Sequence, residues 1–195
     1  MKIVAEFVTS AAGADDFPRD RLPEVAMVGR SNVGKSSLIN ALLRKPLART
    51  SAAPGKTRLA NFFRVQRGTA PAMYLVDLPG YGYARGGGPA AREFQRLTDA
   101  YFARPGARAV LLLVDSRHPG LESDLDSWTW LSTQPCQRGV VGTKVDKLTR
   151  ADRTSHAHEF ESLYDGPVLL VSAVTGEGLE ELWKLIARLP SPPAA

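Results

Sequence analysis

Apolar positions along the 195-residue chain change period repeatedly. Short runs dense in Val, Leu, Ile, Phe or Met fall near 24–28, 60–66, 73–77, 108–115, 138–143 and 167–171, and read as strands. Stretches near 35–44, 89–103, 121–133, 151–164 and 178–189 separate most of them and read as helices. Leu179, Leu182, Trp183, Ile186 and Leu189 make one core-facing helical stripe; Leu121, Leu125, Trp128 and Leu131 make another. Trp130 falls off its stripe and is expected at the surface. Alternating strand and helix implies an α/β fold. The second and third strands are joined by Arg67-Gly68-Thr69-Ala70-Pro71-Ala72, too short for a crossover, so they pair as a hairpin. The expected sheet is mainly parallel and six-stranded, with one antiparallel strand and helices on both faces. Residues 1–23, with Gly13, Asp15, Asp16, Pro18 and Pro23, read as an N-terminal arm. One domain then spans 24–190, and Pro190, Pro192 and Pro193 end the last helix and leave 191–195 as a short flexible tail.

Composition narrows the class. With 44% hydrophobic and 23% charged residues, the chain resembles ordinary globular domains and can build a core without staples. A single cysteine, Cys136, excludes an internal disulfide and a cysteine zinc site, and suits a reducing compartment. No apolar run reaches ~18 residues, so no membrane-spanning helix is expected. Residues 1–12 carry Glu6 and soon meet Asp15-Asp16, which speaks against a signal peptide and for the cytoplasm. The net charge of +5 is compatible with an anionic partner such as RNA. His156 and His158 stand two apart on a helix, hence on different faces, and are expected to be solvated.

Specific chemistry enters with Gly29-Arg30-Ser31-Asn32-Val33-Gly34-Lys35-Ser36, which fits GxxxxGK[ST]. The glycines let backbone N–H groups curl around a phosphate; Lys35 can reach the β- and γ-phosphates, and the Ser36 hydroxyl can ligate Mg²⁺. The strand before it and the helix beginning at Lys35 aim a helix N-terminus at the same place. This loop does not separate ATP from GTP. Thr143-Lys144-Val145-Asp146, at a strand end, does: it matches [NT]KxD, and the Asp146 carboxylate can accept from both N1–H and the 2-amino group of guanine. Asp77-Leu78-Pro79-Gly80 gives DxxG, with Asp77 toward Mg²⁺ and the Gly80 N–H toward a γ-phosphate. In Pro54-Gly55-Lys56-Thr57, Thr57 is the natural second hydroxyl for the metal. Ser172-Ala173, after 168–171, can offer backbone N–H groups to the guanine carbonyl.

Gly29 to Asn40, Pro54 to Thr57 with Asn61-Phe62-Phe63, and Asp77-Leu78-Pro79-Gly80-Tyr81-Gly82-Tyr83-Ala84 resemble the EngB (YihA/YsxC) GTPases of bacteria. Thr143 to Lys147 and Asp115-Ser116-Arg117 agree, and the resemblance covers essentially the whole chain. It implies a Ras-like P-loop GTPase that binds GTP and GDP with Mg²⁺ and acts in assembly of the large ribosomal subunit, on its precursor and rRNA. It further implies a role in cell division and septation, and a cytoplasmic, monomeric protein without membrane attachment. The implied nucleotide contacts are Gly29, Arg30, Ser31, Asn32, Val33, Gly34, Lys35, Ser36 and Ser37; Gly55, Lys56, Thr57, Arg58 and Leu59; Asp77, Leu78, Pro79 and Gly80; Thr143, Lys144, Val145 and Asp146; and Val171, Ser172 and Ala173. Lys35, Thr57 and Gly80 are the catalytic candidates, and Ser36, Thr57 and Asp77 the metal candidates. Two positions depart from the family: Arg58 where Gln is frequent, and Ala173 where a second serine is frequent.

Tyr81 stands where Ras-type enzymes carry a water-orienting Gln, so intrinsic hydrolysis is expected to be slow and completed by a partner. Tyr81 and Tyr83 either present aromatic faces to RNA or pack back onto the sheet. Asn32 holds the loop position at which some related bacterial GTPases help hold K⁺; the alternative is that its side chain braces the loop. Two other classes are open to the sequence: a small GTPase acting on a protein effector, which lacks the C-terminal lipidation cysteine of trafficking types, and a P-loop kinase, against which Thr143 to Asp146 argues.

Overall fold

The computed structural model describes residues 1–49, 59–81, 88–106 and 108–189, with backbone alone at 89–91. Its strands are β1 (Ile3–Ala11), β2 (Glu24–Gly29), β3 (Ala60–Arg67), β4 (Met73–Asp77), β5 (Arg108–Asp115), β6 (Gln137–Thr143) and β7 (Val168–Leu170). Its helices are α1 (Lys35–Leu43), α2 (Pro89–Ala103), α3 (Glu122–Ser132), α4 (Arg150–Leu163) and α5 (Leu179–Arg188). One sheet runs in the order β1-β3-β4-β2-β5-β6-β7. β3 is antiparallel to both neighbours, and the remaining pairs are parallel. The single reversed strand and the hairpin between β3 and β4 match expectation.

The sheet has seven strands, not six. The segment expected as an arm supplies the edge strand β1, paired with β3 from Ile3↔Arg67 to Ala11↔Ala60. The pattern hid it because the register shifts between Phe7 and Thr9. Such a bulge flips the side chains that follow to the other face, so period-two alternation breaks in mid-strand. Ala5 accordingly joins the core on one face of the sheet and Ala11 the core on the other.

The central strands are buried on both faces, which is why they read as continuous apolar runs. All six residues of β2 are buried. α1 and α5 cover one face through Leu38, Ile39, Leu42, Leu182, Trp183 and Ile186. α2, α3 and α4 cover the other through Leu97, Tyr101, Trp128, Leu131 and Phe160. Trp130 is not at the surface as expected: it is half-buried, with its ring 5.5 Å from and edge-on to Phe102. The α2 end packs close enough to α3 to claim it. α4 opens with a capping box, Thr149 bonding the Asp152 N–H while Asp152 returns to Thr149.

Arg104 ties three parts together. It follows α2, places a guanidinium nitrogen 2.5 and 2.6 Å from the two carboxylate oxygens of Glu24 in β2, and lies 4.4 Å over the Phe17 ring. Glu24 is buried. Removing one partner of a buried pair strands the other charge. Arg104→Ala is therefore expected to lower unfolding free energy by about 3 kcal/mol, while loss of the exposed Arg64–Glu6 pair in Arg64→Ala changes it by less than about 1 kcal/mol. Urea unfolding of both variants checks the contrast; equal losses would contradict it.

Candidate functional site

Strands β4, β2, β5, β6 and β7 all run the same way, so their carboxyl ends share one edge. Loops at that edge of an open α/β sheet are where ligands bind. Each described motif emerges there.

After β2 the chain turns through Gly29 to Gly34 into α1. Gly34 has φ +105, a conformation an L side chain rarely adopts, and serves as the N-cap without any side-chain capping bond. The first turn of α1 holds no acidic residue. Its N–H groups and dipole thus face an anion site without a protein carboxylate in competition from the helix itself. Lys35 is buried and donates to Asp77 at the end of β4. The Ser36 hydroxyl lies 3.4 Å from the other Asp77 oxygen. A buried ammonium, a hydroxyl and a carboxylate meet at one point.

The DxxG segment closes over the loop. A Cβ added at Gly80 would lie 3.1 Å from the Gly29 carbonyl oxygen and the Ser31 nitrogen, so a side chain there would push the two backbones apart by a few tenths of an ångström. Next to it, Arg30 and Tyr81 form an isolated parallel bridge. Tyr81 is 7% exposed, and its hydroxyl donates to Asp124 of α3 at 2.8 Å. Of the two expectations for this ring, inward packing is the one found.

The base-reading motif is clasped to the phosphate loop. Thr143 donates its hydroxyl to the Val33 carbonyl at 2.7 Å. Lys144, with φ +60, sends its ammonium to the Asn32 carbonyl at 2.8 Å and to Asp115 at 2.9 Å. Asn32 also has positive φ, +64, and its side chain makes no hydrogen bond among the described residues; the brace runs through its carbonyl. Val145 N–H bonds the Val171 carbonyl at 3.2 Å, bringing the 171–173 segment alongside. Ser172 donates its hydroxyl to Asp146 at 2.7 Å, and that bond holds the Asp146 carboxyl below the usual carboxylate range. Asp146 is therefore an ionised acceptor, with one oxygen fixed by Ser172 and the other 3.5 Å from the exposed Lys147 ammonium.

Ser172 corrects one expectation. Its backbone N–H is not offered outward; it bonds the Glu177 carbonyl at 3.0 Å, and its hydroxyl also accepts from Val174 and Thr175. Ala173 N–H has no partner among the described residues. The serine braces Asp146, and Ala173 is left to donate. The structure thus brings together Gly29 to Ser37, Asp77 to Gly80, Thr143 to Asp146 and Val171 to Ala173. Gly55, Lys56, Thr57 and Arg58 lie outside the described residues, as do Gly82 and Tyr83, and Leu59 borders them.

The supporting roles of two residues, Asp115 and His156, were not read from the sequence. Asp115 receives Arg117 through its backbone N–H at 3.1 Å, Nε at 2.9 Å and Nη2 at 2.7 Å, besides Lys144. His156 is half-buried, with Nδ1 2.7 Å from the Ser116 carbonyl, contrary to the solvated position expected. His158 is exposed, beside Glu161. Asp124 had a visible signal: an acid three residues after Leu121 lies on the core side of that helical stripe. Cys136 is half-buried and its thiol is pushed up to about 11, so it stays protonated at neutral pH. Among the described residues no three His, Cys, Asp or Glu side chains gather as a metal cage. Ser36 and Asp77 offer a hard, all-oxygen set that fits Mg²⁺ only as a shared ligand with phosphate and water.

A mainly parallel sheet with one reversed strand and a phosphate loop clasped to a TKxD strap defines a P-loop GTPase. Residues 24–144 match the family described as 50S ribosome-binding GTPase. An EngB GTP-binding protein of Pelotomaculum thermopropionicum is 44% identical over 190 residues, 94% of either chain. One from Symbiobacterium thermophilum is 41% identical over 222 residues, 95% of either chain. The chain belongs to the EngB family of GTP-binding proteins. In fold it also matches a crystal structure of Era in complex with MgGDPNP and nucleotides of 16S ribosomal RNA, with TM-score 0.74, 22% identity, 91% of this chain and 60% of that one.

Asp115 leads to a prediction on pH. Burial opposes its charge, but the bonds from Arg117 and Lys144 outweigh that and hold the carboxyl well below the usual range. A depressed native value stabilises the fold above the unfolded value, near pH ~4, and that contribution is lost as pH falls through the native value. Stability measured from pH 6 to 2 is expected to fall more steeply in the unsubstituted protein than in Asp115→Asn. Parallel curves would contradict it.

Proposed function

We propose that this GTPase-family protein is a nucleotide-dependent switch acting on the precursor of the large ribosomal subunit, and that normal cell division and septation depend on it. The carrying observation is the clasp of Thr143 and Lys144 onto Val33 and Asn32, which holds an ionised Asp146 at a fixed distance from Lys35 and the α1 N-terminus. A site so spaced fits a guanine nucleotide: Asp146 and the Ala173 N–H at the base, and the loop from Gly29 to Ser37 at the phosphates. Lys144 lays its stem along the loop where the base would lie. Mg²⁺, held by Ser36, Thr57 and, through water, Asp77, would supply charge neutralisation at the phosphates when bound. Lys35 adds a cation, and the Gly80 N–H a donor to the γ-phosphate. The exposed amide of Asn32 suits a K⁺ ion beside the phosphates, which would supply part of what an arginine finger supplies elsewhere.

Hydrolysis is slow in the isolated protein because the position after Gly80 carries a buried tyrosine. Burial and the neighbouring Asp124 raise the Tyr81 hydroxyl far above neutral, so it does not deprotonate water, and its proton is donated to Asp124 rather than to a water. The missing group comes from the docked particle. The net charge of +5 and the fold shared with an rRNA-binding Era support an RNA-containing partner. The protein acts as a monomer in the bacterial cytoplasm; no described helix is long and apolar enough to cross a membrane.

Co-sedimentation with purified ribosomal subunits tests the reading. Binding to large-subunit precursors is expected with a non-hydrolysable GTP analogue, to weaken at least tenfold with GDP, and to fall steeply between about 50 and 200 mM salt as phosphate contacts are screened. Binding that ignores the nucleotide, or none at all, would overturn it and favour a protein effector.

A further inference from the structure

Tyr81 and Asp124 form a contact that nucleotide binding does not explain. Asp124 is 1% exposed, sits on the core side of α3, and its carboxylate accepts from the Tyr81 hydroxyl through Oδ1. Its other oxygen, Oδ2, is buried with no hydrogen-bond partner among the described residues. A half-satisfied carboxylate in the core costs stability, so its place there calls for an explanation. Burial raises its pKa above the ordinary carboxylate value; the Tyr81 hydrogen bond and, less, the positive charge of Arg30 in the phosphate loop pull against that rise. Arg30 in turn bridges to Tyr81 through the backbone. Three elements therefore converge on one carboxylate: the phosphate loop through Arg30, the DxxG segment through Tyr81, and α3.

Leverage follows from sequence adjacency. Tyr81 directly follows Gly80, which is seated against Gly29 and Ser31. Four of the seven residues from 82 to 88 are glycine. At the end of the described DxxG segment, Tyr81 belongs to the hydrophobic cluster that also takes residues of β5 and α3. Where Tyr81 sits decides where the Gly80 N–H points.

We propose that Asp124 is a positioning residue for the DxxG segment: it latches Tyr81 and thereby sets the Gly80 N–H for the γ-phosphate. The latch rests on the GTP-switch reading above. It acts on the triphosphate state, because Gly80 has nothing to meet in the diphosphate, and it couples that state to α3.

Three substitutions test it. Tyr81→Phe keeps the ring and deletes the hydroxyl. Asp124→Leu keeps the volume and deletes the acceptor. Asp124→Asn keeps an acceptor oxygen for Tyr81. Affinity for GDP and for a non-hydrolysable GTP analogue is measured by calorimetry, with single-turnover GTP hydrolysis alongside. Tyr81→Phe and Asp124→Leu are each expected to weaken the GTP analogue about tenfold and to slow turnover similarly, with GDP affinity within about twofold. Asp124→Asn is expected to stay near the unsubstituted protein, and the Tyr81→Phe/Asp124→Leu double variant to be no worse than either single one, as for a coupled pair. Equal losses for GDP and the analogue, no change in either, or additive effects would overturn the latch, since a merely structural contact would lower melting temperature without splitting the two nucleotides. If the unsubstituted protein bound neither nucleotide, the GTP reading would fall and the latch with it; if it bound both and the variants showed no split, the latch alone would fall.

Discussion

Two side chains at the end of β6 hold two carbonyls of the phosphate loop: Thr143 to Val33 at 2.7 Å and Lys144 to Asn32 at 2.8 Å. The first of these bonds is buried, where an unpaired carbonyl would be costly. Residues more than a hundred positions apart are thereby set at a fixed separation. Asp115 reinforces the clasp from β5 by holding the Lys144 ammonium, and Arg117 balances the charge of Asp115. His156 of α4 in turn holds the turn after Asp115. The arrangement is preorganised, so binding does not have to order the site before it can be read.

The sheet makes this clasp possible. Parallel strands β4, β2, β5, β6 and β7 deliver Asp77, Gly29, Asp115, Thr143 and the 171–173 segment to one edge. Their two-sided burial stabilises the strands, while the loops beyond their ends carry the polar chemistry. The two hydrophobic clusters keep this edge rigid from both faces.

Much of this was legible in the sequence because the informative features are local. A phosphate loop is eight consecutive residues between a strand and a helix, and Thr143 to Asp146 is four at a strand end. Parallel core strands announce themselves as unbroken apolar runs. What the sequence concealed is non-local or irregular. β1 was hidden by a bulge at Val8 that interrupts its alternation. The Lys144 that Asp115 holds, and the partners of His156 and Asp124, lie on other elements, and no spacing rule links them. The Ser172 N–H was expected to face the base, but the local turn to Glu177 takes it and turns the serine hydroxyl toward Asp146 instead. An acid on the apolar stripe of α3 was the one visible hint of the Tyr81 contact.

The central claim is that this edge reads guanine through an ionised, braced Asp146. Exchange of its carboxylate for an amide is the most direct test, because Asp146→Asn changes two atoms' chemistry and little volume. Calorimetric titration of both proteins with GDP, xanthosine diphosphate and ADP separates the possibilities. The unsubstituted protein should bind GDP at least about a hundredfold more tightly than ADP, as two charge-assisted bonds imply, and Asp146→Asn should lose GDP by tenfold or more while gaining the xanthine nucleotide. Undiminished GDP affinity in Asp146→Asn, or equal binding of ADP and GDP by the unsubstituted protein, would contradict the account.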